Sequence, residues 1–347
     1  MKGRSGSCFP AKDTLRKFQR SIKESRQMVN EKWLEKIPAD GPFYLFQGCF
    51  INHNYPGIEA ATRFILDKLG VRYFVSEDQS CCGLPEFSTL ANPLMLTCLV
   101  GRNMDVVKEY APYILTPCNG CYSAFHTSFT LMKDPEVAAR TEEILGKLGR
   151  KYSPVKVIHF ADFVYKRLED IVVKTVKILG GLKMAAHYGC HYFVFEEEGL
   201  DSRENPSFAE KIIEKLGGEP VNYTAKDECC GFGMIQQVVH KNMAYAITEE
   251  KINSILDAGA EAVLVICPYC LNVLDKNQKV LRDIELIEKA IPVIHISQLV
   301  ALVLGADPDR MGFEMHSVDV KPFLDRVEAR KVEFKGWSSA EVAASPK

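Results

Sequence analysis

Two cysteine doublets pose the chemical question in this sequence: Cys81 and Cys82 in "EDQSCCGLPEF", and Cys229 and Cys230 in "KDECCGFGMI". Each follows a single cysteine, Cys49 or Cys190, and each precedes a Cys-x-x-Cys pair, Cys118 with Cys121 or Cys267 with Cys270. The first set reads Cys, 31 residues, Cys-Cys, 35 residues, Cys-x-x-Cys; the second has 38 and 36 residues in those gaps. A lone Cys-x-x-Cys would fit zinc, a redox pair or neither. Five thiols exceed the four ligands of a structural zinc site, and adjacent residues point in different directions, so a doublet does not easily converge on one ion. Two sulfurs that diverge can instead grip different irons of one iron–sulfur cluster, for which thiolates are the usual ligands. A cubane needs four cysteines. The fifth implies a bridging thiolate, an opened cluster or a thiol kept for chemistry.

The chain has 12 cysteines, and two of them stand outside these sets. Cys8 lies in a polar leader, and Cys98 sits in "LMLTCLVGRNM", where it reads as a small hydrophobe at helical spacing. The basic N-terminus lacks the apolar segment of a secretory signal, so a cytoplasmic protein with reduced thiols is expected, and metal ligation is favoured over disulfides. With 47% hydrophobic and 25% charged residues and a net charge of -2, the composition is that of a globular protein with no electrostatic case for nucleic acid or an acidic membrane surface. The longest apolar runs suit buried strands, and no membrane span is expected.

The elements that must position the thiols are written twice. "YLFQGCF", "GIEAATRFILDKLGVRYFVSEDQSCCG", "YILTPCNGCYSAF" and "VKVIHFADFVYKRL" return as "AAHYGCH", "NPSFAEKIIEKLGGEPVNYTAKDECCG", "AVLVICPYCLNVL" and "IPVIHISQLVALVL". Matching cysteines are offset by 141 residues at Cys49 and by 148 or 149 elsewhere. β-rich runs at 43–47, 71–75, 113–116 and 155–159, and again at 183–188, 219–223, 261–266 and 291–295, alternate with amphipathic helical patterns. Strand, helix, strand predicts an α/β fold of two pseudo-symmetric repeats, each a small parallel sheet flanked by helices, with the cysteines at the carboxyl edge where such sheets bind ligands. The expected divisions are a helical extension over 1–40, repeats over 41–175 and 176–317, and a tail over 318–347 that is either a docking surface or a solvated end.

The two complete motifs, with "GCFINHNYPGIE" and "TPCNGCY", resemble the CCG-domain family and, more closely, the family of heterodisulfide reductase B subunits, over roughly residues 43 to 317. The resemblance implies two noncubane [4Fe-4S] clusters facing a shared active site. One would be held by Cys49, Cys81, Cys82, Cys118 and Cys121, the other by Cys190, Cys229, Cys230, Cys267 and Cys270. It also implies an oxidoreductase acting on sulfur groups. Each cluster would give one electron to one sulfur of a disulfide, coenzyme M joined to coenzyme B in methanogens, and an iron of each would capture the thiolate.

No ferredoxin-type cysteine run and no dinucleotide-binding glycine motif is present, so electrons must come from another subunit. The resemblance makes that a ferredoxin-like C subunit fed by a flavin-containing A subunit. His187 and His191 flank Cys190, and His53 follows Cys49 by four residues; with the doublets they are the catalytic candidates, as proton donors to a thiolate or hydrogen-bond partners of a cluster sulfur. His159 and His295, directly after apolar strands, read as structural. Rival readings are a thiol- or persulfide-oxidising complex of a sulfur oxidiser, an electron relay of a lactate or glycolate oxidising complex, and a zinc-stabilised interaction module.

Overall fold

A computed structural model describes residues 29–84, 92–193, 199–233, 237 and 239–329. Most of the predicted leader, including Cys8, and the tail beyond residue 329 lie outside the described residues. Eight short strands form where the apolar β-rich runs predict them: β1 Phe43–Leu45, β2 Tyr73–Phe74, β3 Tyr113–Thr116, β4 Lys156–His159, β5 Lys183–His187, β6 Glu219–Val221, β7 Ala262–Val265 and β8 Val293–His295. They build two four-stranded sheets of order β2-β1-β3-β4 and β6-β5-β7-β8, every pairing parallel. In each sheet the chain leaves the central pair towards opposite edges. The crevice above β1 and β3, or β5 and β7, is therefore the place where a parallel sheet offers room for a ligand.

The helix Pro56–Leu69 shows how sequence sets an element. Pro56 occupies its first turn, Gly70 ends it at φ 70°, and Ile58, Ala61, Ile65 and Leu69 form its buried face. That face meets the other repeat, because Ile296–Val303, the helix after the last strand of the second sheet, packs directly against Pro56–Leu69. The segment beyond that helix presses on the same element, so that a Cβ on Gly57 would lie 2.0 Å from the Met311 carbonyl oxygen. Both main hydrophobic clusters draw residues from both repeats. The repeats thus have separate sheets but no private cores.

Flanking segments are clamped in the same way. Asp275 accepts backbone hydrogen bonds from Ser317 (2.6 Å) and Val318 (2.9 Å), and Val320, Phe323 and Val327 of the following segment are buried. Residues 318–328 are therefore neither a solvated end nor a free docking surface, which corrects the reading of that part of the tail: the apolar face of the helix Lys321–Glu328 belongs to the core. At the other end, Asp162 accepts from Trp33 Nε1 (2.8 Å) and from Tyr192 OH (2.5 Å), tying the entry segment to the loop that carries Cys190.

Burial pushes the Asp162 carboxyl up to about 7, against the pull of the hydrogen bonds from Tyr192 and Trp33. The folded-state value lies above the unfolded one, so this group's stabilisation is complete below about pH 4 and is lost as pH rises towards 7. Relative to Asp162→Asn, the native protein should lose up to roughly 4 kcal/mol between those limits. Denaturant titrations of both proteins across pH 4 to 7 check this, and a constant difference would contradict it.

Candidate metal centres

Each strand end delivers its cysteine through a specific turn. After β1 and β5, Gly48 (φ 57°) and Gly189 (φ 76°) reverse the chain so that Cys49 and Cys190 start a helical turn. After β3 and β7, Cys118 and Cys267 cap the helices Asn119–Leu131 and Pro268–Asp283, which puts Cys121 and Cys270 in the first turns. The doublets lie in the loops past β2 and β6, where each following glycine has positive φ, 96° at Gly83 and 94° at Gly231, and donates its backbone N–H to the first sulfur of its doublet at 3.4 Å.

The thiols of a repeat form a continuous chain of contacts. Cys49 Sγ lies 3.6 Å from Cys81 Sγ; Cys81 meets Cys82, Cys82 meets Cys121, and Cys121 meets Cys118. The second repeat reproduces this order as Cys190, Cys229, Cys230, Cys270 and Cys267. Cys118 and Cys267 then interact across the repeats, which makes the two sets of five thiols neighbours. The doublet sulfurs stay in contact but face different neighbours and depths: Cys82 and Cys230 are buried, Cys229 is half-buried and Cys81 is exposed. Each centre has a buried floor of three thiols and a rim of two.

Such crowding resists ionisation. Contacts with Cys49 and then Cys82 hold Cys81 down at about 2, while contact with Cys81 and then burial push Cys49 well up. In the second repeat, contacts with Cys190 and Cys230 hold Cys229 far below an ordinary thiol, and contact with Cys229 followed by burial raises Cys190. One thiolate per neighbourhood suppresses the next. Five thiolates coexist only around compensating positive charge, which a metal group supplies.

The surroundings fit a bulky sulfur-rich group. A Cβ on Gly48 would stand 2.8 Å from Cys121 Sγ and one on Gly189 2.9 Å from Cys270 Sγ, so each loop leaves space beside its thiols that only glycine permits. His187 is fully buried, with its ligand atom and those of Cys230 and Cys270 within 4.8 Å of one another, and both its ring nitrogens lack a hydrogen-bond partner. Two orphaned nitrogens beside two thiols suit a missing inorganic partner.

Of the other predicted residues, His191 lies at the rim of the second centre with Nδ1 2.7 Å from Ser123 Oγ of the first repeat, whereas His53 is exposed on the last turn of Cys49–Asn54. Burial pulls His187 down to about 3, which keeps it a neutral imidazole. His159 and His295 cap helices through Nδ1, accepting from Ala161 N at 3.1 Å and Ser297 N at 3.3 Å, as a structural role requires. Cys98 joins neither thiol chain, and burial raises its thiol. Sequence reasoning missed three polar residues that reach the doublet loops. Asn103 bonds Ser80 N (2.8 Å) and the Cys81 carbonyl (3.0 Å), Thr248 donates to the Cys230 carbonyl (3.1 Å), and Lys251 donates to the Ala225 carbonyl. Phe50, Phe232 and Tyr269 form an aromatic wall nearby, with ring centroids 4.3 Å apart for Phe50 and Tyr269 and 4.5 Å for Phe232 and Tyr269.

Known proteins carry the same pattern. The cysteine-rich CCG domain matches residues 43–126 and 184–275, one copy in each repeat. The chain is 33% identical to the B subunit of a ferredoxin/F420H2-dependent CoB-CoM heterodisulfide reductase from Methanosarcina acetivorans, over 82% of this chain and 96% of the relative. It is 31% identical to a heterodisulfide reductase B-subunit-like protein from Archaeoglobus profundus, over 77% and 92% respectively. Among solved structures, a hypothetical protein from Helicobacter pylori superposes with a TM-score of 0.61 at 11% identity, covering 83% of this chain and 56% of that one, which is a likeness of fold alone. Two matched thiol sets, two CCG copies and these full-length relatives together mean that the chain belongs to the CCG cysteine-rich domain family, within its branch of heterodisulfide reductase B subunits.

Proposed function

We propose that the chain is the catalytic iron–sulfur subunit of a heterodisulfide reductase-type complex, which cleaves or forms a disulfide between two noncubane [4Fe-4S] clusters. Cys49, Cys81, Cys82, Cys118 and Cys121 would hold one cluster, and Cys190, Cys229, Cys230, Cys267 and Cys270 the other. The observation that carries this reading is the gathering of two matched sets of five thiols at the ends of the two parallel sheets. When bound, such clusters supply electrons singly and iron sites for sulfur, and cleaving a disulfide takes two electrons.

The protein's own groups divide the remaining work. The rim thiols Cys49, Cys81, Cys190 and Cys229 are the less buried ones, so a small thiol or disulfide approaches on their side. At Cys190 that side opens onto a recess lined by Phe193, Arg203, Lys226 and Glu228. The buried floors of Cys82, Cys118 and Cys121, and of Cys230, Cys267 and Cys270, exclude water from the inner metal positions. His187, neutral and buried, serves as a hydrogen-bond partner at Cys230 and Cys270 rather than as an acid. His191, adjacent to Cys190 and steadied by Ser123, is the better proton donor to a leaving thiolate, ahead of the exposed His53. Electrons come from partner subunits, a ferredoxin-like one and a flavin-containing one; the ferredoxin dependence in the Methanosarcina relative's name supports that route. Among the described residues no helix is long and apolar enough to cross a membrane.

Anaerobic purification should yield about eight irons and matching sulfide per chain, with a paramagnetic signal that develops on thiol titration. Iron for a single cluster, or zinc in its place, would refute the proposal. Replacing Cys82 by Ser, or Cys230 by Ser, should remove about half of the iron, because each thiol serves only its own set. Complete loss of iron from either variant, with its circular dichroism unchanged, would show that the two centres are not modular.

A further inference from the structure

The internal repeat gives nearly every residue around one centre a counterpart around the other, so charged differences stand out. Lys251, on the helix Lys241–Asp257, is fully buried. Its ammonium donates to the Ala225 carbonyl, lies 5.4 Å from the Tyr223 ring centroid, and is within electrostatic reach of Cys230, Cys270 and Cys229. Its counterpart is Asn103. It stands on the first-repeat helix Pro93–Val107 that follows the first doublet, and Asn103 to Lys251 is 148 residues, as is Cys82 to Cys230. Asn103 is buried too and also reaches into its doublet loop. A neutral amide thus braces the first loop and an ammonium the second.

The rest of the comparison leaves that charge uncancelled. His187 matches Phe46, which packs edge-on to Phe125 at 5.1 Å, so the second centre also gains a polar ring where the first has a phenyl. Glu228 faces Lys251, but it is exposed; Lys226 is already paired with Glu210. Beside the first doublet lie Glu77 and Asp78, with Arg102 donating to the Asp78 carbonyl at 2.7 Å. Exposed charges are screened by water and salt, whereas a buried one acts through protein of low dielectric. Burying an ammonium costs several kcal/mol unless negative charge compensates it. One carbonyl and one ring are modest compensation; an anionic thiolate-bound centre alongside is ample.

We propose that Lys251 is a buried cation that holds the reduction potential of the second metal centre above that of the first, so that the two matched thiol sets accept electrons in a fixed order. An added electron makes a centre more negative, and a nearby buried positive charge stabilises that reduced form more than the oxidised one. The inference rests on the two-cluster reading above.

The test is a mediated redox titration of the full-length, anaerobically purified chain, followed by electron paramagnetic resonance after iron and sulfide have been counted. The native protein should show two separate midpoints. Lys251→Met should move the higher midpoint to more negative potential and leave the lower one in place, while Lys251→Arg keeps both. A single shared midpoint in the native protein overturns the inference, as does a Lys251→Met protein in which neither midpoint or only the lower one moves. If Lys251→Met loses the iron of the second centre, Lys251→Gln is titrated in its place. Loss of that iron from both neutral variants would assign Lys251 a structural role and likewise overturn the inference. Iron for fewer than two clusters in the native protein refutes the underlying reading instead, before any potential is measured.

Discussion

Thiolates repel one another, and most of this structure answers that constraint. Ten sulfurs in two interacting sets cannot all be charged in the bare polypeptide: each thiolate raises the cost of the next, and burial of the floor thiols adds to it. The fold holds them together nonetheless, by means that tolerate no slack. Glycines bring backbone against sulfur, strand ends fix four cysteines per molecule at the sheet edges, and polar side chains from neighbouring helices brace the doublet loops. Such preorganisation raises the free energy of the metal-free chain and is recovered when positive charge enters.

Much of this was legible in the sequence because it depends on local periodicity. All eight strands appear where apolar runs predicted them, and the helix Pro56–Leu69 buries the face that its spacing implied, because alternation and capping act within a few residues. The five-cysteine pattern put the thiols at strand ends for the same reason. What could not be read is which surface covers which. Lys251 in "ITEEKINSIL" looks like one more solvated charge on an amphipathic helix, and nothing in its neighbours reveals that its side of the helix faces the doublet loop. His187 reads as a neighbour of Cys190, yet the pleat turns its ring towards Cys230 and Cys270. The tail segment 318–328 read as a docking surface or a solvated end, yet its Val320, Phe323 and Val327 join the core.

The unequal surroundings of matched thiols set the two halves apart. Composition and spacing describe two copies of one motif, and the sheets and thiol chains agree. Their second layer does not: amide against ammonium, phenyl against imidazole, Gly120 against Tyr269, whose ring would stand 3.2 Å from a Cβ on that glycine. Duplication supplies geometry, and divergence of the second layer is free to assign separate tasks because it leaves that geometry alone.

The packing of Ile296–Val303 on Pro56–Leu69 makes each half of the chain a part of the other's interior. A half-length chain with one sheet and five thiols would leave the face of Ile58, Ala61 and Ile65 bare, a patch too apolar to remain in water. Because both core clusters draw on both repeats, a cut between the two sheets would lay core residues open on both pieces.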